Sequence, residues 1–249
     1  MHILPIKAFV DNYIWALINS EQEIWVVDPG EASPVIDFIN MQTLKLQGIL
    51  ITHHHGDHTN GVPLLLEHKD VPVYGPKNSP CSYITTPLAD NSTINLDSMT
   101  QFEILTIPGH TLDHIAYYGN GILFCGDTLF AAGCGRVFEG TYPMMFNSLM
   151  RLYSLAENTK IYCGHEYTLA NLKFATMVEP LNEDIKACLS QVYSLREKDL
   201  PSLPSTLAQE KKTNPFLRCN VEALKESIGQ NINEPVKVFE YLRKWKNSL

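Results

Sequence analysis

Residues 52–58 of this chain read Thr-His-His-His-Gly-Asp-His and directly follow the apolar run Ile49-Leu50-Ile51. In an extended backbone, side chains two residues apart point the same way, so His53 and His55 can reach one metal ion together. Gly56 tolerates backbone angles that other residues avoid, so the chain can turn there and direct Asp57 and His58 at a second ion. This stretch therefore predicts a metal site, and a binuclear one.

Three later segments repeat the same pattern of an apolar run, a glycine and a side chain that can bind metal. They are Phe102–Pro108 with Gly109 and His110, Ile122–Cys125 with Gly126 and Asp127, and Lys160–Cys163 with Gly164 and His165. We expect the four segments to be strands whose ends converge at one edge of a sheet. Four separated segments that end in this way are a stronger signal than any single motif.

Seven such side chains are more than one tetrahedral Zn²⁺ ion needs. Two divalent ions that share a carboxylate explain the number: His53, His55 and His110 on one ion, Asp57, His58 and His165 on the other, and Asp127 bridging both. Nitrogen and oxygen ligands suit Zn²⁺, with Fe²⁺ or Mn²⁺ as alternatives. Such a site lowers the pKa of bound water towards ~7. The prediction is a hydroxide nucleophile between the ions, oriented by the catalytic carboxylates of Asp57 and Asp127.

The bulk composition is that of an ordinary globular protein, with 45% hydrophobic and 18% charged residues among 249. A formal net charge of −8 argues against a nucleic-acid partner. No apolar run approaches the ~18 residues of a membrane span, and the first residues lack the pattern of a signal peptide. We expect a cytoplasmic monomer without a membrane partner, whose six cysteines are reduced thiols.

The pattern of elements changes near residue 166. Short β-prone runs dominate before it, with helices expected over 34–41, 59–68 and 146–157. After it, four segments have helical periodicity and no strand is expected, and the Pro- and Ser-containing stretch 201–215 is interpreted as a loop. We therefore predict an α/β catalytic domain over residues 1–166 and a small all-helical domain over residues 167–249.

The ligand pattern resembles that of the metallo-β-lactamase superfamily, which has T-H-x-H-x-D-H followed by later His, Asp and His ligands. This resemblance implies a four-layer αββα sandwich over residues 1–166, with the metal site at the sheet edges. Within the superfamily the chain looks most like the glyoxalase II family of hydroxyacylglutathione hydrolases. The matching stretches are Phe9–Tyr13, Pro108–Thr111, Gly133–Arg136, Gly164–Thr168, Asn214–Arg218 and the pair Arg243 and Lys246.

The resemblance implies a substrate and the residues that bind it. The substrate would be an S-(2-hydroxyacyl)glutathione, chiefly S-D-lactoylglutathione, hydrolysed to D-lactate and glutathione in the second step of methylglyoxal detoxification. Arg243 and Lys246 match the pair that binds glutathione, and Arg136 and Tyr167 match further contacts. Phe138 departs from relatives that have Tyr there, so a polar contact from this position is not expected. Without the resemblance, Arg243 and Lys246 would be interpreted as a solvated basic helix end.

Two other functions are compatible with parts of the same pattern. A persulfide dioxygenase of the superfamily would use one iron ion and only His53, His110 and Asp127. A non-catalytic metal-binding module of the same fold would be expected to lack some ligands, whereas all seven are present. Asp57 and His165 therefore favour the thioester hydrolase.

Overall fold

The structure of the protein is a computed structural model that describes all residues, Met1–Leu249. The chain forms two compact units, one of Met1–Thr106 with Asp113–Gly126 and one of Ile107–Leu112 with Asp127–Leu249. Residues 127–165 fall in the second unit because elements such as the helix Tyr142–Tyr153 contact the C-terminal helices. The functional boundary expected after residue 166 stays a prediction.

The first unit contains a mixed six-stranded sheet with the strand order β1-β2-β3-β4-β5-β6. The strands are β1 His2–Ala8, β2 Asn12–Ile18, β3 Glu23–Val27, β4 Lys45–Leu50, β5 Val73–Pro76 and β6 Thr86–Leu88. The first three strands pair antiparallel, and β3 to β6 pair parallel. Three helices lie between the strands: α1 Ser33–Gln42, α2 Gly56–Thr59 and α3 Val62–His68. Because β3 and β4 are parallel neighbours, the residues that follow them emerge side by side at one edge.

A second, antiparallel group of strands completes the first unit. Its strands are β7 Thr93–Asn95, β8 Gln101–Thr106, β9 Ile115–Gly119 and β10 Ile122–Gly126. Each pairs with the next along the chain. The buried hydroxyl of Tyr117 on β9 donates a hydrogen bond of 2.9 Å to the carbonyl of Ile51, just beyond β4. This bond connects the two layers immediately before the His-rich stretch.

The core of the first unit lies between its mixed sheet and helices α1 and α3. Apolar side chains from alternate positions of the strands, such as Ile14, Val26 and Ile49, pack against Val35 of α1 and Leu65 of α3, all fully buried. Burial of this kind stabilises the fold by roughly 25 cal/mol per Å² of apolar surface. The core therefore fixes β3 and β4, whose ends carry polar residues.

The second unit is mainly helical. Its strands are β11 Leu129–Phe130, β12 Gly133–Cys134, β13 Lys160–Cys163 and β14 Ser205–Thr206; its helices are α4 Tyr142–Tyr153, α5 Thr168–Val178, α6 Glu183–Arg196, α7 Leu207–Thr213, α8 Glu222–Ile228 and α9 Pro235–Asn247. A single turn of 3₁₀ helix spans Pro215–Leu217. Strands β11 and β12 form a short hairpin, and β13 pairs with β14. The longest helix, α6, has 14 residues, and no helix is long and apolar enough to cross a membrane.

The structure corrects four predictions about elements. The stretch 201–215 is not a loop, because it contains β14 and α7; the N-cap hydroxyl of Thr206 accepts a bond from the Gln209 amide and starts α7. The presence of β14 also contradicts the expectation that no strand follows residue 166. The helix expected over 59–68 is two helices, α2 and α3, and the helix expected over 146–157 spans Tyr142–Tyr153.

Candidate metal centre

A buried carboxylate anchors the start of the His-rich stretch. Asp28 follows β3, and its oxygens accept bonds of 2.7 Å from both the amide and the hydroxyl of Thr52, which follows β4. The third partner of Asp28 is the Nδ1 atom of His58, at 3.0 Å. The parallel pairing of β3 with β4 explains how two residues 24 positions apart come into contact. Asp28 thereby fixes both ends of the segment that carries the predicted ligands.

The predicted ligands of this segment lie together. The Nε2 atom of His53 is 3.2 Å from the Nδ1 atom of His55, as the expected two-residue spacing requires. The Nε2 atom of His58 is 3.5 Å from an oxygen of Asp57. The rings of His53 and His58 are 4.2 Å apart between centroids. The structure therefore brings all four predicted ligands of residues 53–58 into one cluster.

The expected role of Gly56 is wrong, although its position matters. Gly56 does not adopt a positive φ; it begins α2, and a Cβ there would lie 2.8 Å from the Asn60 side chain. The helical turn, rather than an unusual glycine conformation, directs Asp57 and His58 towards the cluster. Asn12, at the start of β2, donates from Nδ2 to the Asp57 carboxylate over 3.1 Å and orients it.

The second unit contains a matching cluster around Asp127. Oxygen Oδ2 of Asp127 lies 3.2 Å from Nε2 of His165 and 3.7 Å from Nε2 of His110. All three side chains are buried. One carboxylate oxygen thus lies near a histidine from each of the two predicted ligand sets. This position suits a carboxylate that is shared by two ions.

Gly135 permits the close packing of this second cluster. A Cβ on Gly135 would lie 1.9 Å from the carbonyl oxygen of Asp127 and 3.0 Å from Nδ1 of His110. Nδ1 of His110 also lies 2.8 Å from the carbonyl oxygen of Arg136. Because a carbonyl only accepts, His110 donates from Nδ1 and its Nε2 atom is the nitrogen with a lone pair.

Hydrogen bonds determine the same tautomer at two ligands of the first unit. Nδ1 of His58 donates to the carboxylate of Asp28, so its Nε2 atom presents a lone pair to the Asp57 oxygen. Nδ1 of His53 lies 3.0 Å from the hydroxyl of Thr52. Because that hydroxyl donates its only hydrogen to Asp28, it accepts a hydrogen bond from Nδ1 of His53. The lone pair of His53 Nε2 then faces His55. A nitrogen lone pair oriented in this way is available to bind a metal ion.

The distances fit metal coordination. Two nitrogen or oxygen ligands of one tetrahedral zinc ion, each ~2.1 Å from it, lie about 3.4 Å apart. The donor pairs of both clusters are separated by 3.2–3.7 Å. Together with the buried donors and the fixed tautomers, these distances show that the residues of each cluster suit divalent metal binding.

The remaining histidines and cysteines near the ligands have structural roles. His54 points to Asp113, with 2.9 Å between Nδ1 and the carboxylate, as expected for a side chain that is not a ligand. His114 stacks on His53, with 4.5 Å between the ring centroids. Cys125 and Cys163 are fully buried free thiols, and burial raises the pKa of Cys163 well above its usual value. Both cysteines therefore lie in the core.

A cavity of about 410 Å³ extends from Asp127 along the second unit. It is lined by Asp127, Phe130, Cys134, Gly135, Arg136, Phe138, Tyr167, Ala170, Asn171, Arg243 and Lys246. All four predicted substrate residues therefore lie along one cavity, with the carboxylate of the bridging candidate at its wall. Tyr167 stacks on His165, with 4.6 Å between ring centroids, which joins the cavity to the ligand cluster.

Arg243 and Lys246 are not a solvated helix end. Arg243 is 2% exposed, and its Nη1 atom donates to the carbonyl of Cys134 over 2.8 Å. The ammonium group of Lys246 contacts the side-chain oxygen of Asn171. Burial, followed by the charge of Arg243, lowers the pKa of Lys246 to about 8. Cations held this close inside a protein favour an anionic ligand.

Two residues of the site were missed in the sequence, Asp28 and Asn12. Asp28 follows an apolar strand and precedes Pro29-Gly30, so it has the same pattern as the predicted ligands; the sequence could have indicated it. Asn12 follows no such pattern. It lies in the matching stretch Phe9–Tyr13, but its contact with Asp57 depends on the β1–β2 turn and was not predicted.

The comparisons with known proteins agree with this fold. Residues 13–165 match the model of the metallo-beta-lactamase superfamily. A crystal structure of ETHE1 from Myxococcus xanthus has the same fold, with a TM-score of 0.67 at 22% identity over 100% of this chain and 99% of that one. The fold and the His/Asp clusters are therefore those of a metallo-β-lactamase-fold metalloprotein, as predicted.

The match to particular relatives is closer. Residues 166–249 match the model of the hydroxyacylglutathione hydrolase C-terminus. A protein of Nitrosomonas eutropha named hydroxyacylglutathione hydrolase is 47% identical, covering 99% of this chain and 98% of its own length. One of the same name from Pseudoalteromonas translucida is 48% identical, covering 99% of both chains. The chain belongs to the hydroxyacylglutathione hydrolase family, as the sequence resemblance indicated.

Replacing Asp28 by Asn should weaken metal binding without unfolding the protein. Both oxygens of Asp28 accept hydrogen bonds, and asparagine has only one acceptor oxygen, so either Thr52 or His58 loses its partner. Loss of such an orienting partner typically lowers metal affinity 10–100-fold. Zinc affinity is measured by competition with a chromophoric chelator, and circular dichroism checks the fold.

Asp113→Asn is the matched control, because Asp113 is also paired with a histidine but that histidine, His54, is not a predicted ligand. Its zinc affinity should equal that of the unmodified protein. Equal affinities for Asp28→Asn and Asp113→Asn would contradict the orienting role of Asp28.

Proposed function

We propose that this protein hydrolyses S-(2-hydroxyacyl)glutathione thioesters, chiefly S-D-lactoylglutathione, to a 2-hydroxy acid and glutathione. The observation that carries the proposal is the cavity that runs from Asp127 to Arg243 and Lys246. The cationic side chains of Arg243 and Lys246 line the same cavity as Asp127. The carboxylate of Asp127 belongs to the cluster that also contains His110 and His165. The full-length relatives named hydroxyacylglutathione hydrolase support the same reaction.

The proposal assigns two divalent ions to the seven predicted ligands, with zinc as the first choice and iron or manganese as alternatives. His53, His55 and His110 would hold one ion, Asp57, His58 and His165 would hold the other, and Asp127 would be shared by both. The position of one Asp127 oxygen near both His110 and His165 supports the bridging assignment. When bound, the ions lower the pKa of water and polarise a carbonyl oxygen.

The side chains of the site then perform the remaining tasks. Asp57 and Asp127 orient the water that attacks the thioester carbonyl. Asn12 holds the Asp57 carboxylate in place through its 3.1 Å hydrogen bond. The leaving group is a thiol with an ordinary pKa near ~8.5, so it departs as a thiolate without a strong acid beside it. No covalent intermediate with a serine or cysteine is needed.

Glutathione binding is assigned to the cavity of the second unit. Its two carboxylates are matched by Arg136, Arg243 and Lys246, and Tyr167 adds an aromatic face and a hydroxyl. Phe138 is 62% exposed and packs its ring against His110. It offers an apolar surface rather than a hydrogen bond, consistent with the departure from relatives that have Tyr.

The proposal keeps the predicted division of labour. Residues 1–166 form the catalytic domain, and residues 167–249 form the glutathione-binding domain. The adjoining matches of the two family models, at 13–165 and 166–249, support this boundary. The protein acts as a monomer on a small-molecule substrate and has no nucleic-acid or membrane partner.

Turnover of S-D-lactoylglutathione tests the proposed reaction. Zinc-loaded protein should release one free thiol and one D-lactate for each thioester consumed, and protein stripped with a chelator should regain activity when zinc is added back. The thiol is measured with a disulfide reagent and the lactate with a stereospecific dehydrogenase. The metal-free protein is the control.

Glutathione persulfide is the second substrate to test. The iron-loaded protein should consume no oxygen with it beyond the rate without protein. Oxygen consumption with the persulfide, together with no thioester turnover, would replace the hydrolase assignment with that of a dioxygenase. Inactivity on both substrates would favour a non-catalytic module.

The KM for the thioester should depend on the ionisation of Lys246. Its pKa of about 8 means that the side chain is a cation below that pH and neutral above it. A neutral amine attracts a carboxylate less, so KM should rise several-fold as the pH increases from 7 to 9. Steady-state kinetics over this range measure the change, with the uncatalysed hydrolysis subtracted.

Lys246→Arg keeps its charge at these pH values and should remove the rise. Lys244→Arg is the matched control, because Lys244 lies on the same helix but is exposed. The control should retain the pH dependence of the unmodified protein. If the KM of Lys246→Arg rose with pH as much as that of the unmodified protein, a substrate contact by Lys246 would be contradicted.

A further inference from the structure

The hairpin of β11 and β12 lies between two functional parts of the chain. Asp127 precedes it and Arg136 follows it, and both line the cavity. Two hairpin residues, Phe130 and Cys134, line the same cavity. The position of this hairpin therefore determines the shape of one cavity wall.

The turn of the hairpin is strained. Ala132 has a φ of +53°, in the left-handed region that an L-residue with a Cβ adopts only at an energetic cost. The turn has no glycine at this position, and the strain has to be offset by contacts from outside the hairpin. Ala132 is almost completely buried, so water does not supply those contacts.

A buried carboxylate holds the strained residue. Oxygen Oε2 of Glu210, on α7, accepts the amide hydrogen of Ala132 over 2.7 Å. The same oxygen accepts a bond of 3.1 Å from Nδ2 of Asn214, and the other oxygen accepts from the hydroxyl of Ser205. Glu210 is 1% exposed, which is unusual for a glutamate outside the ligand clusters.

Asparagine side chains hold the carbonyl groups of the same hairpin. Nδ2 of Asn214 donates to the carbonyls of Phe130 and Gly133 over 3.1 and 2.9 Å. Nδ2 of Asn171 donates to the carbonyl of Ala131 over 2.9 Å. Because Asn214 also donates to Glu210, the carboxylate orients the amide that holds both strands.

We propose that Glu210 is a positioning residue for substrate binding: its carboxylate holds the hairpin so that Phe130 and Cys134 shape the glutathione cavity. This inference rests on the proposed function, because the cavity wall matters only if the cavity binds the thioester. Glu210 acts through the hairpin and does not touch the substrate. Loss of its hydrogen bond should therefore affect KM rather than kcat.

Two substitutions at Glu210 distinguish the effect of side-chain length from the effect of charge. Glu210→Asp keeps the carboxylate but shortens the side chain by one methylene, so it no longer reaches the Ala132 amide. Glu210→Gln loses the charge but keeps an acceptor oxygen at the same distance, and Ser205 can turn its hydroxyl to accept from the new amide. Burial raises the pKa of Glu210 to about 7, so the site already tolerates the neutral acid near neutral pH.

The shortened side chain should not prevent folding. A cavity of about 250 Å³, lined in part by Glu210, Ser202 and Gln209, lies beside the carboxylate. Water in this cavity can hydrate the retracted carboxylate of Glu210→Asp. If that variant nevertheless failed to fold, a rise in KM in Glu210→Gln would still overturn the proposal, because that variant keeps the acceptor for the Ala132 amide.

Glu179→Asp is the matched control. Glu179 is a second buried glutamate of the same unit, and it accepts two bonds of 2.8 Å from Arg218 rather than bonds from the hairpin. Shortening it should lower stability without changing KM. A rise in KM in both Asp variants would show that general loosening, not the hairpin contact, is responsible.

Steady-state hydrolysis of S-D-lactoylglutathione, metal content per chain and thermal unfolding are measured for all variants and for the unmodified protein. Glu210→Asp should raise KM about fivefold with kcat within about twofold and unchanged metal content. Glu210→Gln should keep KM within about twofold of the unmodified value. An unchanged KM in folded Glu210→Asp, or an equal rise in Glu210→Gln, would overturn the proposal. Inactivity of the unmodified protein would instead reject the proposed function.

Discussion

The geometry of the two ligand clusters depends on buried imidazole rings whose Nδ1 atoms donate hydrogen bonds to other protein groups. His53, His58 and His110 donate to Thr52, Asp28 and the carbonyl of Arg136, so each presents a lone pair at Nε2. These lone pairs point at a nitrogen or oxygen atom of another predicted ligand, 3.2–3.7 Å away. A divalent cation can bind several such lone pairs at once. The hydrogen bonds around the ligands therefore orient them for metal binding.

In each unit, packed segments of the fold hold the predicted ligands in position. In the first unit, the parallel pair β3 and β4 brings Asp28 to Thr52, and the apolar core beneath these strands fixes that contact. In the second unit, Gly135 allows the chain to pass close to Asp127 and His110. The hairpin that begins just after Asp127 is then held by side chains of the helical region, with Glu210 at its strained turn. Ligand geometry and cavity shape thus depend on many weak contacts far apart in the sequence.

Much of the fold and the site was predictable because their signals are local. The pattern of possible metal ligands that directly follow apolar strands predicted seven side chains, and the structure puts His53, His55, Asp57 and His58 in one cluster and His110, Asp127 and His165 in another. Helical periodicity identified the C-terminal helices, with the exception of α7. That helix has seven residues between proline-containing segments and no marked apolar face, so only its cap at Thr206 indicates it.

The features that were missed depend on contacts between distant positions. Asn12 touches Asp57 across 45 residues, and Glu210 touches Ala132 across 78. The stretch Phe9–Tyr13 contains Asn12, but it does not indicate the contact with Asp57, and Glu210 belongs to no matching stretch; a single sequence does not reveal such pairs. The burial of Arg243 and Lys246 was likewise not predictable, because a basic helix end is usually solvated.

Titration of metal-free protein with Zn²⁺ tests the central claim most directly. Thermal stability and the rate of lactoylglutathione hydrolysis are followed as the metal is added, since an ion that binds only the folded state raises its stability. The account predicts that both quantities rise until two equivalents per chain are bound and then stop. Full stability and full activity at one equivalent would contradict it.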